Sequence, residues 1–499
     1  MTLAPARPRV RRLAGRRPPG VVTVGRSVLW LTLRVWFNDL ARTLGSRARA
    51  AAAVATGLGL MMAAAAWSGV LARDSVAGVD ILDPGAATTV AALVVTIPAI
   101  TTVMAHMYAP PRTLVLEMLT VMPVSRTVTR LAVGLLTCVL GLVLGVLLLA
   151  PLAGPVLDAV VAAPTSALGF LVLGLTGPVL ALALIGTVTV LLTRVARAGD
   201  IVAQGLAGLA AAVALGAGLV AALPVNHYEP GGLHLVTSGP FLRWSAGVGS
   251  VVEALPHVGL VAAGTLVAWL AARHDISGRE GARSVRPVWP SQTIVASLWR
   301  LELAQVLRYP SNVVVLVLLN GLGLLGLAWS ALGGQDGLGL GALLLMALSC
   351  WGIGAFGPTA GHHWIHRTAG RPNAWVWPKL GAVLTVWLAM IAVHGTWLVL
   401  LTDWMLIDLL VMLPVLFVEV VVSCTIGIVL PVSLNNSMAG AFSEGVALMV
   451  LVTLTGAVQS VTGALPDLLS MAGFHGALVV GALLVYRTVA RAASAADRA

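Results

Sequence analysis

The stretch ALGFLVLGLTGPVLALALIGTVTVLLT, residues 167–193, contains no charged side chain. About 20 consecutive apolar residues allow an α-helix to cross the hydrocarbon core of a bilayer, and this stretch exceeds that length. A strand of an outer-membrane barrel would instead be about ten residues long and would alternate between apolar and polar positions. A helix also satisfies its own backbone hydrogen bonds inside lipid. The stretch therefore predicts a transmembrane helix.

The same continuous hydrophobicity recurs along the chain of 499 residues, of which 59% are hydrophobic and 10% are charged. Soluble domains carry about 25% charged residues to cover their surface, so the solvent of this chain must be lipid. We predict an all-α integral membrane protein with about twelve transmembrane helices. Besides 167–193, the predicted spans are 50–71, 87–107, 131–153, 202–224, 251–271, 312–330, 339–359, 380–401, 404–430, 443–463 and 473–488.

The basic residues, 30 Lys and Arg against 19 Asp and Glu, are concentrated in the N-terminal segment and beside the apolar stretches. A basic composition can indicate nucleic-acid binding, but this distribution follows the positive-inside rule of membrane proteins. With both termini in the cytoplasm, only Arg73 and Arg243 would lie in external loops. We therefore predict a multi-pass protein with cytoplasmic termini and no nucleic-acid partner.

One polar interval is long enough to divide the chain into two halves, and these halves are similar. Pro123 and Pro372 match at the same offset as Arg130 and Lys379. This correspondence predicts two pseudo-repeated six-helix bundles. The predicted segments are a disordered basic cytoplasmic tail (1–25), the first half (26–273), a cytoplasmic linker (274–292), the second half (293–488) and a second cytoplasmic tail (489–499).

An amphipathic stretch precedes the first span of each half: RSVLWLTLRVWFNDLARTL from Arg26 and ASLWRLELAQVLRYP from Ala296. In the first stretch the apolar residues share one helical face and the polar residues share another. Helices of this kind lie flat at the membrane interface, with Trp at headgroup depth. The apolar face contains Leu29, Leu33, Trp36, Leu40 and Leu44, and the predicted interfacial residues are Trp30, Arg34, Trp36, Trp299 and Glu302.

Sequence motifs for catalysis, nucleotide binding and metal binding are missing. The only lysine, Lys379, is not part of a GxxxxGK[ST] phosphate loop, and no HExxH, paired CxxC or GxSxG occurs. The HHxxH sequence at 362–366 has no Cys or carboxylate nearby to complete four ligands, so we interpret it as a polar loop rather than a metal site. No catalytic residue, bound cofactor or metal is predicted in this chain.

Glu419 and His394 are the ionisable residues within predicted spans that raise the question of function, because each costs roughly 2.5–3.5 kcal/mol on insertion scales. Glu419 is either a polar contact in a substrate path, a protonatable site, or a buried carboxylate that pairs with a Thr, a backbone group or another helix. His394 has apolar neighbours one turn away, so its polar partner must come from another helix, and a helix–helix hydrogen bond is the favoured interpretation. Glu302 is expected to be solvated at a cytoplasmic edge.

The loop after the second predicted span contains Leu116-Glu117-Met118 and then the turn Pro123-Val124-Ser125-Arg126. With an amphipathic helix before each set of six spans, this pattern resembles the permease subunit of an ABC-2-type exporter, in the fused two-half form of some actinobacterial drug and antibiotic exporters. In the second half Pro372 aligns, whereas Arg367 and Trp375 stand where Met118 and Arg126 would be. The resemblance covers nearly the whole chain from residue 26.

The resemblance implies a permease that hydrolyses no ATP itself. A separate cytoplasmic ABC ATPase subunit, in two copies, would bind ATP and Mg and drive alternating access. The permease would move an amphipathic or hydrophobic substrate, such as a drug, antibiotic, lipid or peptide, out across the bacterial cytoplasmic membrane. The residues implied in coupling to the ATPase are Leu116, Glu117, Met118, Pro123, Arg126, Arg130, His366, Arg367 and Pro372.

Two other functions are compatible with the sequence. An ion-gradient-driven secondary transporter would explain the span count, the duplication and the cytoplasmic ends equally well. The loop after the second span nevertheless lacks a GxxxDRxGRR-like signature. A membrane-embedded enzyme for lipid-linked substrates would need acidic residues grouped near one membrane surface, whereas the acidic residues of the predicted external loops are scattered.

Overall fold

Nearly all of the chain that the structure describes is helical, and this part contains no strand. The structure is a computed structural model. The two predicted coupling loops, the linker 274–292 and the basic tail up to residue 20 lie outside the described residues. The described residues are 21–76, 83–108, 126–196, 200–221, 233–273, 294–308, 312, 315–317, 319–321, 323, 345–356, 373–401, 405–430, 437–465 and 468–496.

Nine α-helices are described before the linker and five after it. The first nine are α1 (Val21–Thr43), α2 (Arg47–Val76), α3 (Pro84–Tyr108), α4 (Arg126–Leu148), α5 (Ala153–Ala162), α6 (Ser166–Arg194), α7 (Asp200–Ala221), α8 (Leu233–Ser245) and α9 (Val251–Arg273). After the linker come α10 (Ile294–Arg308), a 3₁₀ segment (Cys350–Ala355), α11 (Val376–Leu401), α12 (Leu406–Val429), α13 (Ser437–Gly463) and α14 (Leu468–Ala496).

Eight of the described helices are long and apolar enough to cross a membrane, and each coincides with a predicted span. They are α2, α3, α6, α9, α11, α12, α13 and α14. The predicted span 202–224 corresponds to α7, which has a shorter apolar part, Gly205–Gly216. The structure describes the predicted spans 312–330 and 339–359 only in part, including the short apolar helix Leu345–Ala355, so a total of twelve stays a prediction.

The predicted span 131–153 differs from the others because it is bent. The helical pieces Gly134–Leu148 and Ala150–Ala162 meet at an angle of 56°. Pro151 lies at the bend, within a short 3₁₀ helix, Ala150–Leu152. Proline has no N–H to donate to the preceding turn, and its ring clashes with that turn, so the α-helix ends here. Pro98, Pro178 and Pro414 also lie within apolar stretches, but each is inside a single α-helix.

We call the helices described before the linker the first set and those described after it the second set. Helix α3 lies at the centre of the first set and packs on α4, α6, α7 and α8. Its closest neighbour is α6, because Gly177 has no side chain to hold the two backbones apart. A Cβ at Gly177 would overlap the carbonyl oxygen of Val95 and would lie 3.0 Å from the backbone nitrogen of Ala99. Thr101 of α3 also donates a hydrogen bond of 2.6 Å to the carbonyl oxygen of Gly141 in α4.

Helix α12 is central among the helices described after the linker. It packs on α13, α14 and the 3₁₀ segment. Gly352 and Gly427 allow the close approach to the 3₁₀ segment. A Cβ at Gly352 would meet the carbonyl oxygen of Val420 at 2.9 Å, and one at Gly427 would meet that of Ile353 at 2.5 Å.

The two amphipathic helices pack against spans of their own sets: α1 on α4, and α10 on α11. The apolar face predicted for α1 is confirmed, since Trp36 and Leu40 are buried and Leu29, Leu33 and Leu44 pack around them. Arg34, Asn38 and Arg42 on the other face are exposed. Trp36 also contacts Phe442 of α13, with ring centroids 5.2 Å apart.

The helices described before the linker contact those described after it at several places, and α13 packs on α3 and α1. Helix α2 of the first set packs on α13 of the second. Helix α7 of the first set shares a hydrophobic core with residues that follow α10. This core brings Ala207, Ala211 and Leu215 together with Val315 and Leu319.

Candidate functional site

A buried ion pair joins α10 to α11. The ammonium group of Lys379 lies 3.3 Å from a carboxylate oxygen of Glu302, and the two side chains are only 4% and 1% exposed. The prediction that Glu302 is solvated is therefore wrong, because its carboxylate faces α11 and the ammonium group rather than water. A buried charge is costly unless an opposite charge or hydrogen bonds compensate it, so this pairing holds α10 against α11.

Aromatic rings and α14 complete the surroundings of this pair. The ammonium group of Lys379 lies 5.2 Å from the ring centroid of Phe356 and 5.7 Å from that of Trp375. The hydroxyl group of Tyr486 in α14 donates a hydrogen bond of 2.8 Å to the carbonyl oxygen of Val376. We call Glu302, Phe356, Trp375, Lys379 and Tyr486 the Lys379 cluster.

The Lys379 cluster contains residues from both sides of the segment 357–372, which includes predicted coupling residues. Phe356 is the last described residue before 357–372, and Trp375 follows that segment closely. Their ring centroids are 5.2 Å apart. The indole N–H of Trp375 donates a hydrogen bond of 3.1 Å to the hydroxyl group of Ser494 in α14. Any movement of the segment 357–372 would therefore reach α10, α11 and α14 through one cluster.

Glu419 is fully buried in α12 and faces α13. The hydroxyl group of Thr455 in α13 donates a hydrogen bond of 2.5 Å to one of its carboxylate oxygens. Ser349 lies beside the same carboxyl group and accepts a hydrogen bond of 3.3 Å from the indole of Trp387. These partners are uncharged and come from other helices. The structure thus shows the pairing with a Thr that was one of the alternatives for Glu419.

Three buried polar atoms near this part of α12 and the 3₁₀ segment have no hydrogen-bond partner among the described residues. They are the second carboxylate oxygen of Glu419, the hydroxyl group of Ser423 and the indole nitrogen of Trp351. Glu419 and Ser423 are four residues apart and so share one face of α12. Unsatisfied buried polar atoms are uncommon in folded proteins and call for an explanation. A functional role of Glu419 is therefore compatible with the structure.

The imidazole ring of His394 in α11 contacts two carbonyl oxygens. One ring nitrogen lies 2.8 Å from the carbonyl oxygen of Met390, one turn earlier in α11, and the other lies 3.2 Å from that of Asn320. The ring fits there because Gly323 has no side chain, and a Cβ at this position would come within 2.5 Å of the imidazole. His394 thus joins two helices, which is the interpretation that its sequence context favours.

A third buried polar site, at His257 of α9, is not predicted by the sequence. The two ring nitrogens of His257 lie 3.1 Å from the hydroxyl oxygen of Thr176 in α6 and 3.3 Å from that of Thr237 in α8. Its ring also packs on Phe241, with centroids 4.7 Å apart. His257 therefore binds α8 between two candidate spans. A histidine within an apolar stretch gives no sequence signal for its partners, which lie 81 and 20 residues away.

Most of the predicted coupling residues lie outside the described residues: Leu116, Glu117, Met118, Pro123, His366, Arg367 and Pro372. Arg126 and Arg130 belong to the first turns of α4. Among the described residues no group of three or more His, Cys, Asp or Glu side chains could hold a metal ion. Comparison of the chain with protein-family models, curated proteins and solved structures finds no match.

Proposed function

We propose that the chain is the membrane-spanning permease subunit of an ATP-driven exporter of the ABC-2 type. The observation that carries this proposal is a repeated pairing of an amphipathic helix with a span. Helix α1 packs on α4, and α10 packs on α11. Each of these spans begins within or shortly after a predicted coupling segment, the first marked by Glu117 and Pro123 and the second by Arg367 and Pro372. A force applied at either loop would move a span together with its amphipathic helix.

The contacts within the two sets support the duplicated architecture that such an exporter needs. In the first set α6 packs on α3, α7 and α9, and in the second set α12 packs on the 3₁₀ segment, α13 and α14. The contacts between the sets are also reciprocal, because α2 packs on α13 while α7 packs on the residues after α10. Two six-helix bundles related by a pseudo-twofold axis would make these contacts.

In the proposed mechanism a cytoplasmic ABC ATPase, in two copies, binds ATP and Mg and supplies the energy of ATP hydrolysis. Binding of ATP closes the ATPase dimer, which pulls on the coupling loops near Glu117 and Arg367. The two bundles then rock and open the path between them alternately to the cytoplasm and to the outside. Apolar side chains dominate the helices of this path, so the substrate class is an amphipathic or hydrophobic molecule.

The proposal can be tested by purifying the tagged full-length chain from its native membrane in mild detergent. We expect an ATPase subunit with a phosphate loop to co-purify in a ratio of two copies to one chain, and we expect its ATPase rate to rise when both are reconstituted in lipid. Export that continues after ATP depletion and stops when a protonophore is added would refute the proposal.

Glu117→Lys is expected to lower the stimulation of the ATPase by at least about fivefold, because a charge reversal costs several kcal/mol where charged groups are buried together at an interface. Membrane insertion and yield should be unchanged. Asp158→Lys is the control, since Asp158 is an exposed acidic residue in α5 that lies on the predicted external side. Full stimulation in Glu117→Lys, or an equal loss in the control, would argue against a coupling role for this loop.

The secondary transporter remains the second candidate, because Glu419 is a fully buried carboxyl group with one oxygen that lacks a described partner. A gradient-driven carrier would need this group to gain and lose a proton. Glu419→Gln keeps the shape and an acceptor for Thr455 but cannot release a proton. We expect the variant to retain ATP-driven efflux of an amphipathic dye, such as ethidium, from energised cells within about threefold of wild type. A complete loss of efflux in this variant at normal membrane yield, with wild-type efflux that a protonophore abolishes, would favour the carrier.

A further inference from the structure

A groove lies between the amphipathic helix α1 and the start of α2. Its volume is about 560 Å³, within the range of about 300–1,000 Å³ that small-molecule sites occupy. Most of the groove lining is apolar and consists of Trp30, Leu33, Trp36 and Phe37. Trp36 is buried against the core, whereas Trp30 is 64% exposed. The groove therefore presents aromatic surface that the described part of the chain leaves uncovered.

The groove lining also includes positive charge. Its polar residues are Arg34, Asn38 and Arg47. Arg34 and Asn38 stand one turn apart on α1, so their polar ends follow the same face. Arg47 starts α2 after a short turn in which Gly45 has a φ angle of 78°. This left-handed conformation suits glycine, and the turn brings Arg47 back to the groove that α1 forms.

The position of the groove along the chain indicates its depth in the membrane. Arg47 is the first residue of the candidate span Arg47–Trp67. The end of a span lies at the level of the lipid headgroups, where Trp, Tyr and basic residues are enriched. Trp30 and Arg34 are therefore at a depth where aromatic rings meet the upper acyl chains and guanidinium groups meet phosphates.

We propose that this groove binds the headgroup of an anionic phospholipid. The phosphate lies between the guanidinium groups of Arg34 and Arg47, each of which can donate two parallel hydrogen bonds to phosphate oxygens. The amide group of Asn38 contacts the polar headgroup, and the glycerol and first acyl carbons pack on Trp30 and Phe37. The arginine-rich residues before α1 are a poor alternative occupant, since their charge has the same sign as the groove.

The site is independent of the proposed transport function, because it requires only a membrane that contains anionic lipid. It would anchor α1, which packs on α4, and so would fix the position of the first amphipathic helix relative to the bilayer. The second amphipathic helix is fixed differently, by the ion pair between Glu302 and Lys379.

The test compares lipid retention by the full-length chain after reconstitution with equal amounts of phosphatidylglycerol and phosphatidylcholine. Native mass spectrometry in mild detergent counts the lipids that remain bound. We expect wild type to retain phosphatidylglycerol preferentially. In the variant Arg34→Gln/Arg47→Gln, the ratio of bound phosphatidylglycerol to bound phosphatidylcholine should fall roughly tenfold. The matched control is Arg26→Gln/Arg42→Gln, which removes two exposed arginines of α1 that do not line the groove. The control should retain the preference within about twofold.

Further measurements keep the test decisive if the double variant is poorly folded. Trp30→Ala removes an exposed ring from the apolar part of the lining, and we expect it to weaken lipid retention without changing the charge. Arg34→Lys/Arg47→Lys should keep part of the preference, because lysine supplies the charge but not the paired donors. Equal losses of this preference in the groove variant and the control would overturn the proposal. Retention of both lipids by wild type without preference would also overturn it, as would displacement of the bound lipid by added ATPase subunit.

Discussion

Lys379→Met is expected to lower the free energy of unfolding by about 3–5 kcal/mol, the cost usually measured when one partner of a buried ion pair is removed. The variant leaves the carboxylate of Glu302, which is 1% exposed, without the ammonium group that faces it at 3.3 Å. Methionine is similar to lysine in length and fills the space between Phe356 and Trp375, so the loss reports the charge rather than a cavity. Unfolding in detergent, followed by tryptophan fluorescence, measures the difference.

The double variant Glu302→Gln/Lys379→Met removes both charges, and we expect it to recover more than half of this loss. Arg300→Met is the control on α10, because Arg300 is exposed and its replacement should change stability by less than about 0.5 kcal/mol. A double variant as unstable as Lys379→Met would show that the two charges do not act as a pair.

The variant Glu302→Gln/Lys379→Met also distinguishes an effect on stability from an effect on coupling to the ATPase subunit. If the Lys379 cluster transmits movement from the segment 357–372, a folded protein without the ion pair will still bind the ATPase but will stimulate it less. If the cluster is only structural, stimulation will follow the amount of folded protein. The comparison uses protein at equal folded concentration in lipid.

The spans could be predicted from the sequence because hydrophobicity over about 20 residues is a local property. The bend at Pro151 also has a local cause. The apolar face of α1 is local too, because Trp36 and Leu40 belong to a periodic pattern of apolar residues in consecutive helical turns. No such signal exists for tertiary partners. Glu302 and Lys379 are 77 residues apart by number, and nothing near either residue indicates the other.

The polar sites show the same limit. The Thr partner of Glu419 was one of several alternatives, because a carboxyl group inside lipid must find some donor, but the sequence could not identify Thr455. His257 gave no signal at all, although it holds three helices together. The predicted coupling residues rest on the resemblance alone and stay predictions.

The packing of α3 on α6 gives the second large effect that we expect. Gly177→Ala places a methyl group against the carbonyl oxygen of Val95 and the backbone nitrogen of Ala99. These are backbone atoms of a helix that is packed on several sides, so they cannot move aside as the end of a flexible side chain would. Overpacking a close contact costs about 1–3 kcal/mol, and backbone contacts place this variant at the upper end.

Gly259→Ala is the matched control for Gly177→Ala, because both glycines lie inside candidate spans but a Cβ at Gly259 meets no atom within 4 Å. Alanine is favoured over glycine in a helix by about 0.8–1 kcal/mol, so the control should be neutral or stabilising. Thermal unfolding in detergent compares the two variants. A loss in Gly177→Ala alone means that steric contact between α3 and α6 decides the result. Equal stability of the two would mean that these helices are further apart than the structure shows, and the central position of α3 among the helices before the linker would then have to be abandoned.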